Sequence, residues 1–107
     1  MPHLQAFCLY EFTAMIESEK LLERKLKREV EKLGGYCYKW FSIHITGLPD
    51  RICLLPGGRI FFAEIKTTDK DTSPRQKVVH KELIKIGFRV EVIDTSNQIE
   101  QILKDYE

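Results

Sequence analysis

Glu64 and Lys66 stand two positions apart in RIFFAEIK (59–66), a run otherwise built mainly from Ile, Phe and Ala. Side chains alternate across a strand, so Ile60, Phe62, Glu64 and Lys66 share one face while Phe61, Ala63 and Ile65 share the other. A carboxylate and an ammonium on a largely apolar face are costly to bury unless they pair or hold an ion. Fourteen positions before Glu64 is Asp50, at the head of another apolar run, RICLL (51–55), and Pro56-Gly57-Gly58 joins the two runs. A hairpin over that turn carries Asp50, at the start of one strand, towards Glu64, near the end of the other. Two carboxylates converging from neighbouring strands, with a lysine beside them, suit a hard divalent cation such as magnesium. Such an ion lowers the pKa of a bound water and stabilises charge on a phosphate. An isolated ExK tripeptide is usually just an ion pair on a half-exposed strand. The added Asp moves the reading towards chemistry.

These residues need a scaffold. A helix from about Ile16 to Leu33, with Ser18 as N-cap, ends at Gly34-Gly35. Leu22, Leu26, Val30 and Leu33 form one apolar stripe at helical spacing; Glu19 projects within it, Glu23 lies at its edge and Glu29 near it. YCYKWF (36–41) reads as a strand, followed by the irregular SIHITGLP and then the hairpin. TTDKDTSPRQ is a polar loop in which Ser73 caps, and Pro74 opens, a second helix that Gly87 stops. FRVEVID (88–94) is a last core strand, and a closing helix runs from about Ser96 to Tyr106. The expected fold class is α/β, in the order α-β-β-β-α-β-α, with a mixed sheet flanked by helices. Residues 1–15 are left as an N-terminal extension with no assigned element.

With 107 residues, the chain supports a single domain, 1–107, with one core. Its formal net charge is only +1, so a site for a polyanion must be a local patch of the 17 Lys and Arg residues. Cys8, Cys37 and Cys53 lack zinc-ligand spacing and read as small apolar core thiols. The start, MPHLQAFCLYEF, has no basic-then-apolar leader pattern, and no run reaches membrane-spanning length. The expectation is a cytoplasmic protein with no membrane contact.

Taken in order, the acid-bearing helix, GG, the YK strand, GLPDR, LLPGGR, FFAEIK and a helix opening PRQ with a later His and GF resemble the VRR-NUC (virus-type replication-repair nuclease) domain. This is a branch of the PD-(D/E)xK nuclease superfamily, and the resemblance runs from about Glu19 to Asp94. The same domain type forms the nuclease module of the Fanconi-associated nuclease, and short stand-alone copies are typical of phages and prophages, which would place this one in a bacterial host cell. The resemblance implies a restriction-endonuclease-like core and an endonuclease that hydrolyses DNA phosphodiesters with Mg2+ or Mn2+. Asp50 and Glu64 match the family's metal-binding acids, Lys66 its catalytic lysine, and the Ile65 backbone carbonyl a further metal ligand. Gln76 matches a glutamine that faces the site. The helix acid stays open: Glu19 fits the branch's spacing, whereas Glu23 fits that of archaeal-type junction resolvases, with Glu19 preferred.

Lys39, Arg51 and Arg75 are expected on DNA phosphates, as are Lys77, Lys81 and Lys85, which follow one side of the second helix with Lys70 before it. His80, one turn after Gln76, and His44 are weaker candidates, better explained by packing and by an exposed segment. Tyr36, Tyr38, Trp40, Phe61 and Phe62 are expected mainly in the core. The implied partner is branched DNA such as a four-way junction, and the implied assembly a homodimer. The alternative is a non-catalytic DNA-binding or structural α/β module of the same fold.

Overall fold

The computed structural model describes residues 19–66 and 71–107. Within it the first helix, α1, occupies residues 19–32 and buries Leu22, Leu26 and Val30, the stripe its sequence spells. Gly34 closes it at φ 86°, and the Gly35 N–H returns to the Val30 carbonyl at 3.0 Å. A left-handed residue is what this turn requires, and glycine adopts it without strain. The expected Ser18 cap, the extension 1–15, Cys8 and Lys70 lie outside the described residues.

Four strands follow: β1 (Tyr36–Lys39), β2 (Arg51–Leu55), β3 (Arg59–Ile65) and β4 (Arg89–Ile93), with α2 (Pro74–Lys85) before β4 and α3 (Ser96–Lys104) after it. They form one sheet in the order β1-β2-β3-β4. The first three pair antiparallel and β4 joins β3 parallel, through the crossover that α2 supplies. The α/β class and the element order match the expectation. Leu22, Leu26 and Val30 of α1 and Ile99, Ile102 and Leu103 of α3 pack with Cys37, Cys53, Phe61, Ala63, Ile65 and Ile93 of the sheet. Each large apolar side chain so buried contributes about 1.5–3 kcal/mol. On the other face Trp40, Phe62 and Phe88 form an aromatic cluster, with ring centroids 4.9 and 5.3 Å apart.

Both later helices carry N-terminal caps. Ser73 and Gln76 form a reciprocal capping box at α2, and Thr95 and Gln98 form one at α3. Tyr36 and Tyr38 depart from expectation: they are 60% and 53% exposed and stack on one another with centroids 6.0 Å apart. The sheet order makes β1 an edge, and α2 packs against β4 at the opposite side. β1 also ends at Lys39, two residues early, although the Trp40 N–H still donates to the Asp50 carbonyl at 2.8 Å. That bond extends the β1–β2 ladder to Asp50 itself.

Candidate nuclease centre

Alternation within β3 sets the centre. Phe61, Ala63 and Ile65 face α1 and α3, so Glu64 faces the side where α2 begins. Cross-strand register places Arg51 opposite Ala63, which leaves Asp50, one residue earlier, beside Glu64. The two acids lock reciprocally. The Asp50 N–H donates to Glu64 Oε2 at 3.0 Å, and the Ile65 N–H donates to Asp50 Oδ2 at 3.4 Å. The other Glu64 oxygen, Oε1, accepts from Gln76 Nε2 at 2.7 Å and lies 3.3 Å from Lys66 Nζ. Glu64 is 1% exposed, so these partners are what make its carboxylate tolerable there. Burial first, and the Glu64 carboxylate second, push Asp50 up to about 6. Lys66 and the Ile65 hydrogen bond oppose that rise without cancelling it.

Two further contacts hold the approach. Gly47, at φ 83°, lies so close to α2 that a Cβ there would stand 2.8 Å from the Arg75 carbonyl oxygen. This pins the GLPD segment on the first turn of α2 and fixes where Asp50 enters β2. Gln76 serves both sides at once, because its Oε1 accepts from the Ser73 N–H at 3.0 Å while its Nε2 reaches Glu64.

The structure thus brings Asp50, Glu64, the Ile65 backbone, Lys66 and Gln76 together. The helix acids make no hydrogen bond to this cluster among the described residues but meet Asp50 at a cavity. Glu19 and Glu23 line a cavity of about 260 Å³ with Lys39, Trp40, Phe41, Asp50 and Arg51. Glu23 Oε2 is 3.3 Å from Arg51 Nη2, whereas Glu19 approaches the cavity from one turn earlier on α1. Among the described residues no three carboxylate, imidazole or thiol groups converge into a complete metal shell. Asp50 and Glu64 nevertheless fit a hard cation, for they are close and partly desolvated, and among the described residues one ammonium, that of Lys66, pairs with Glu64.

Lys39 is exposed and Arg51 is buried against α1, with its Nε finding no hydrogen-bond partner among the described residues. Arg75, Lys77, Lys81 and Lys85 are exposed on α2, and Lys77 is bound to Asp71 at 3.0 Å. His80 is buried, its Nε2 is unpaired among the described residues, and burial together with Lys66 lowers its pKa. Its nearness to the centre could be read from its place one turn after Gln76. His44 is exposed.

No family model matches the chain. Similarity to known proteins agrees with the geometry. Among solved structures, one described as a VRR_NUC domain superposes with a TM-score of 0.78 at 28% identity, covering 84% of this chain and 98% of that one. The fold is therefore that of a VRR-NUC-type domain of the PD-(D/E)xK superfamily. A protein of the Acyrthosiphon pisum secondary endosymbiont phage 1, named "Putative nuclease p44", is 38% identical over 79 residues, which is 74% of this chain and 85% of the relative. The chain belongs to the VRR-NUC nuclease family.

Proposed function

We propose that the chain is a divalent-metal-dependent endonuclease that hydrolyses DNA phosphodiesters at the Asp50–Glu64 centre. The observation that carries this reading is the reciprocal lock of Asp50 and Glu64, which holds two acids together with too little positive charge among the described residues to balance them. Asp50 and Glu64 would hold the cation with the Ile65 carbonyl, and Glu19 is the better helix acid because Glu23 is engaged by Arg51. Mg2+ or Mn2+, when bound, supplies the positive charge that activates water and stabilises the phosphate. Lys66, anchored on Glu64, presents a compact ammonium to the phosphate oxygens and to the attacking oxygen. Gln76 orients the Glu64 carboxylate.

The substrate we favour is branched DNA, cut by a homodimer. A small domain grips a two-fold junction most simply through two copies related by the same symmetry. A panel of plasmid, flap, splayed-arm and four-way DNA, with Mg2+, Mn2+ and chelator, tests activity and preference, and light scattering tests the dimer. Metal-dependent cleavage that Asp50→Ala and Glu64→Ala both abolish is the expected result. Wild-type cleavage rates in either variant would move the centre elsewhere.

One feature favours the non-catalytic alternative: Glu64 already has three protein partners, the Asp50 N–H, Gln76 and Lys66. A complete absence of cleavage, with DNA binding retained, would select it.

A further inference from the structure

On α1, Lys20, Arg24 and Lys27 recur at four- and three-residue intervals, so their side chains share one flank of the helix. That flank borders a trough of about 450 Å³ whose lining is Lys20, Glu23, Arg24, Lys27, Lys39 and Arg51. Five cations face one acid there, a local balance of +4, whereas the whole chain carries only +1. Like charges at this helical spacing repel, and so do like charges directly opposed across strands. Lys39 and Arg51 are such an opposed pair in the β1–β2 register. Arg51 adds an independent sign: it is 9% exposed, and its Nε has no partner among the described residues. A buried donor left unsatisfied costs roughly 1–3 kcal/mol. An anion in the trough relieves the repulsion, and a phosphate oxygen at Arg51 would satisfy the donor.

The trough is continuous with the nuclease centre. Glu23, Lys39 and Arg51 line both it and the cavity that holds Glu19 and Asp50. We propose that Lys20, Arg24 and Lys27, with Lys39 and Arg51, form a phosphate-binding track for the nucleic-acid strand, holding the backbone phosphates next to the one at the Asp50–Glu64 centre. This rests on the nuclease reading for the identity of the strand. It puts the principal backbone contact on α1 rather than on the lysines of α2. Glu23 is the gate of the track, since its carboxylate occupies Arg51 until a phosphate competes for it.

The experiment measures binding of labelled single-stranded and duplex DNA to the full chain, in chelator, over a salt series. Gln replaces all three α1 cations (Lys20→Gln, Arg24→Gln, Lys27→Gln) in one variant, and Lys81 and Lys85 of α2 in another. Gln keeps helix propensity close to that of Lys and Arg. The α1 variant should bind more weakly, with the salt slope reduced by about 2 on single strands and about 3 on duplex, given close to one counterion released per contact. The α2 variant should change the slope less. Glu23→Gln, which removes the single acid, should tighten binding, an effect that misfolding cannot mimic. An α1 slope equal to wild type, or an unchanged affinity in Glu23→Gln, overturns the track. Cleavage by wild type with an unchanged α1 slope would sink the track and keep the nuclease. A lost slope with no cleavage under any metal would keep the track and sink the nuclease.

Discussion

The β3–β4 pair carries a cluster of charges at each end, and the two clusters are built on opposite principles. Where β3 and β4 begin, Arg89 donates to Glu91 at 2.6 Å and to Asp105 at 2.8 Å, while Arg59 donates to the Tyr106 carbonyl at 3.1 Å. Both guanidinium groups lie over the Tyr106 ring, at 5.4 and 5.6 Å from its centroid. Two cations meet two carboxylates, and although burial works against the Arg89 charge, its hydrogen bonds to Glu91 and Asp105 raise its pKa. Where the same strands end, Lys66, 3.3 Å from Glu64, is the one cation beside Asp50 and Glu64 among the described residues. The first cluster is a closed staple that ties α3 to the sheet. The second is left one positive charge short, which is what a cation-binding centre requires and what a staple avoids.

Substitutions at each end should break or sharpen that contrast. The largest effect is expected for Glu64→Gln: cleavage falls below detection, while the melting temperature is retained or rises, since carboxylate repulsion disappears. A cleavage assay beside a thermal melt checks both. Magnesium should raise the melting temperature of wild type and leave that of Glu64→Gln unmoved, because only binding to the folded state stabilises it.

Lys66→Ala should slow turnover strongly with a smaller loss of DNA affinity, and Lys66→Arg should not restore it, because a planar guanidinium cannot replace a compact ammonium. An active arginine variant would make Lys66 a general electrostatic contact.

At the staple the pattern inverts. Arg89→Met should cost about 1–2 kcal/mol of stability, as two charge-assisted bonds of partly exposed groups are lost. It should leave cleavage intact at temperatures where the protein stays folded.

On stability, Asp50→Asn gives an effect confined to part of the pH range, and a diagnostic pH dependence. The folded pKa, about 6, lies above the ordinary 3.8, so the folded state holds the proton more tightly. Asp50 therefore adds stability to the metal-free protein as pH falls from above 6 towards 4. Asp50→Asn should be more stable than wild type above about pH 6, by on the order of 1–2 kcal/mol after allowance for solvent screening, and no different below about pH 4. Chemical denaturation across that range, in chelator, measures it. A constant difference would mean that Asp50 is not under strain.

The centre was legible in the sequence because short-range rules set it. A two-residue alternation puts Glu64 and Lys66 on one face, Pro56-Gly57-Gly58 fixes the hairpin, and Ser73-Pro74 fixes where Gln76 begins its helix. The exposure of Tyr36 and Tyr38 was not legible, since alternation names their face but not that β1 is an edge. Lys20, Arg24 and Lys27 do not stand out in the sequence for a similar reason. The apolar stripe of α1 shows which side points inward, yet which flank borders a trough depends on where β1 and β2 lie. Glu23 meets Arg51 across 28 positions of sequence, a distance over which no local pattern speaks.

Gln76 carries a last consequence, for how relatives of this chain can be sorted. Its carbonyl oxygen caps α2 through Ser73, and its amide nitrogen reaches Glu64. Capping alone would accept glutamate at this position just as readily. A glutamate here, however, would set a third carboxylate against Glu64 and Asp50. The helix cap is indifferent between the two letters and the centre is not. The Gln76 position is thus a one-letter diagnostic: a chain that reads Ser-Pro-x-Glu at this helix start would keep the cap while losing the arrangement that Glu64 depends on.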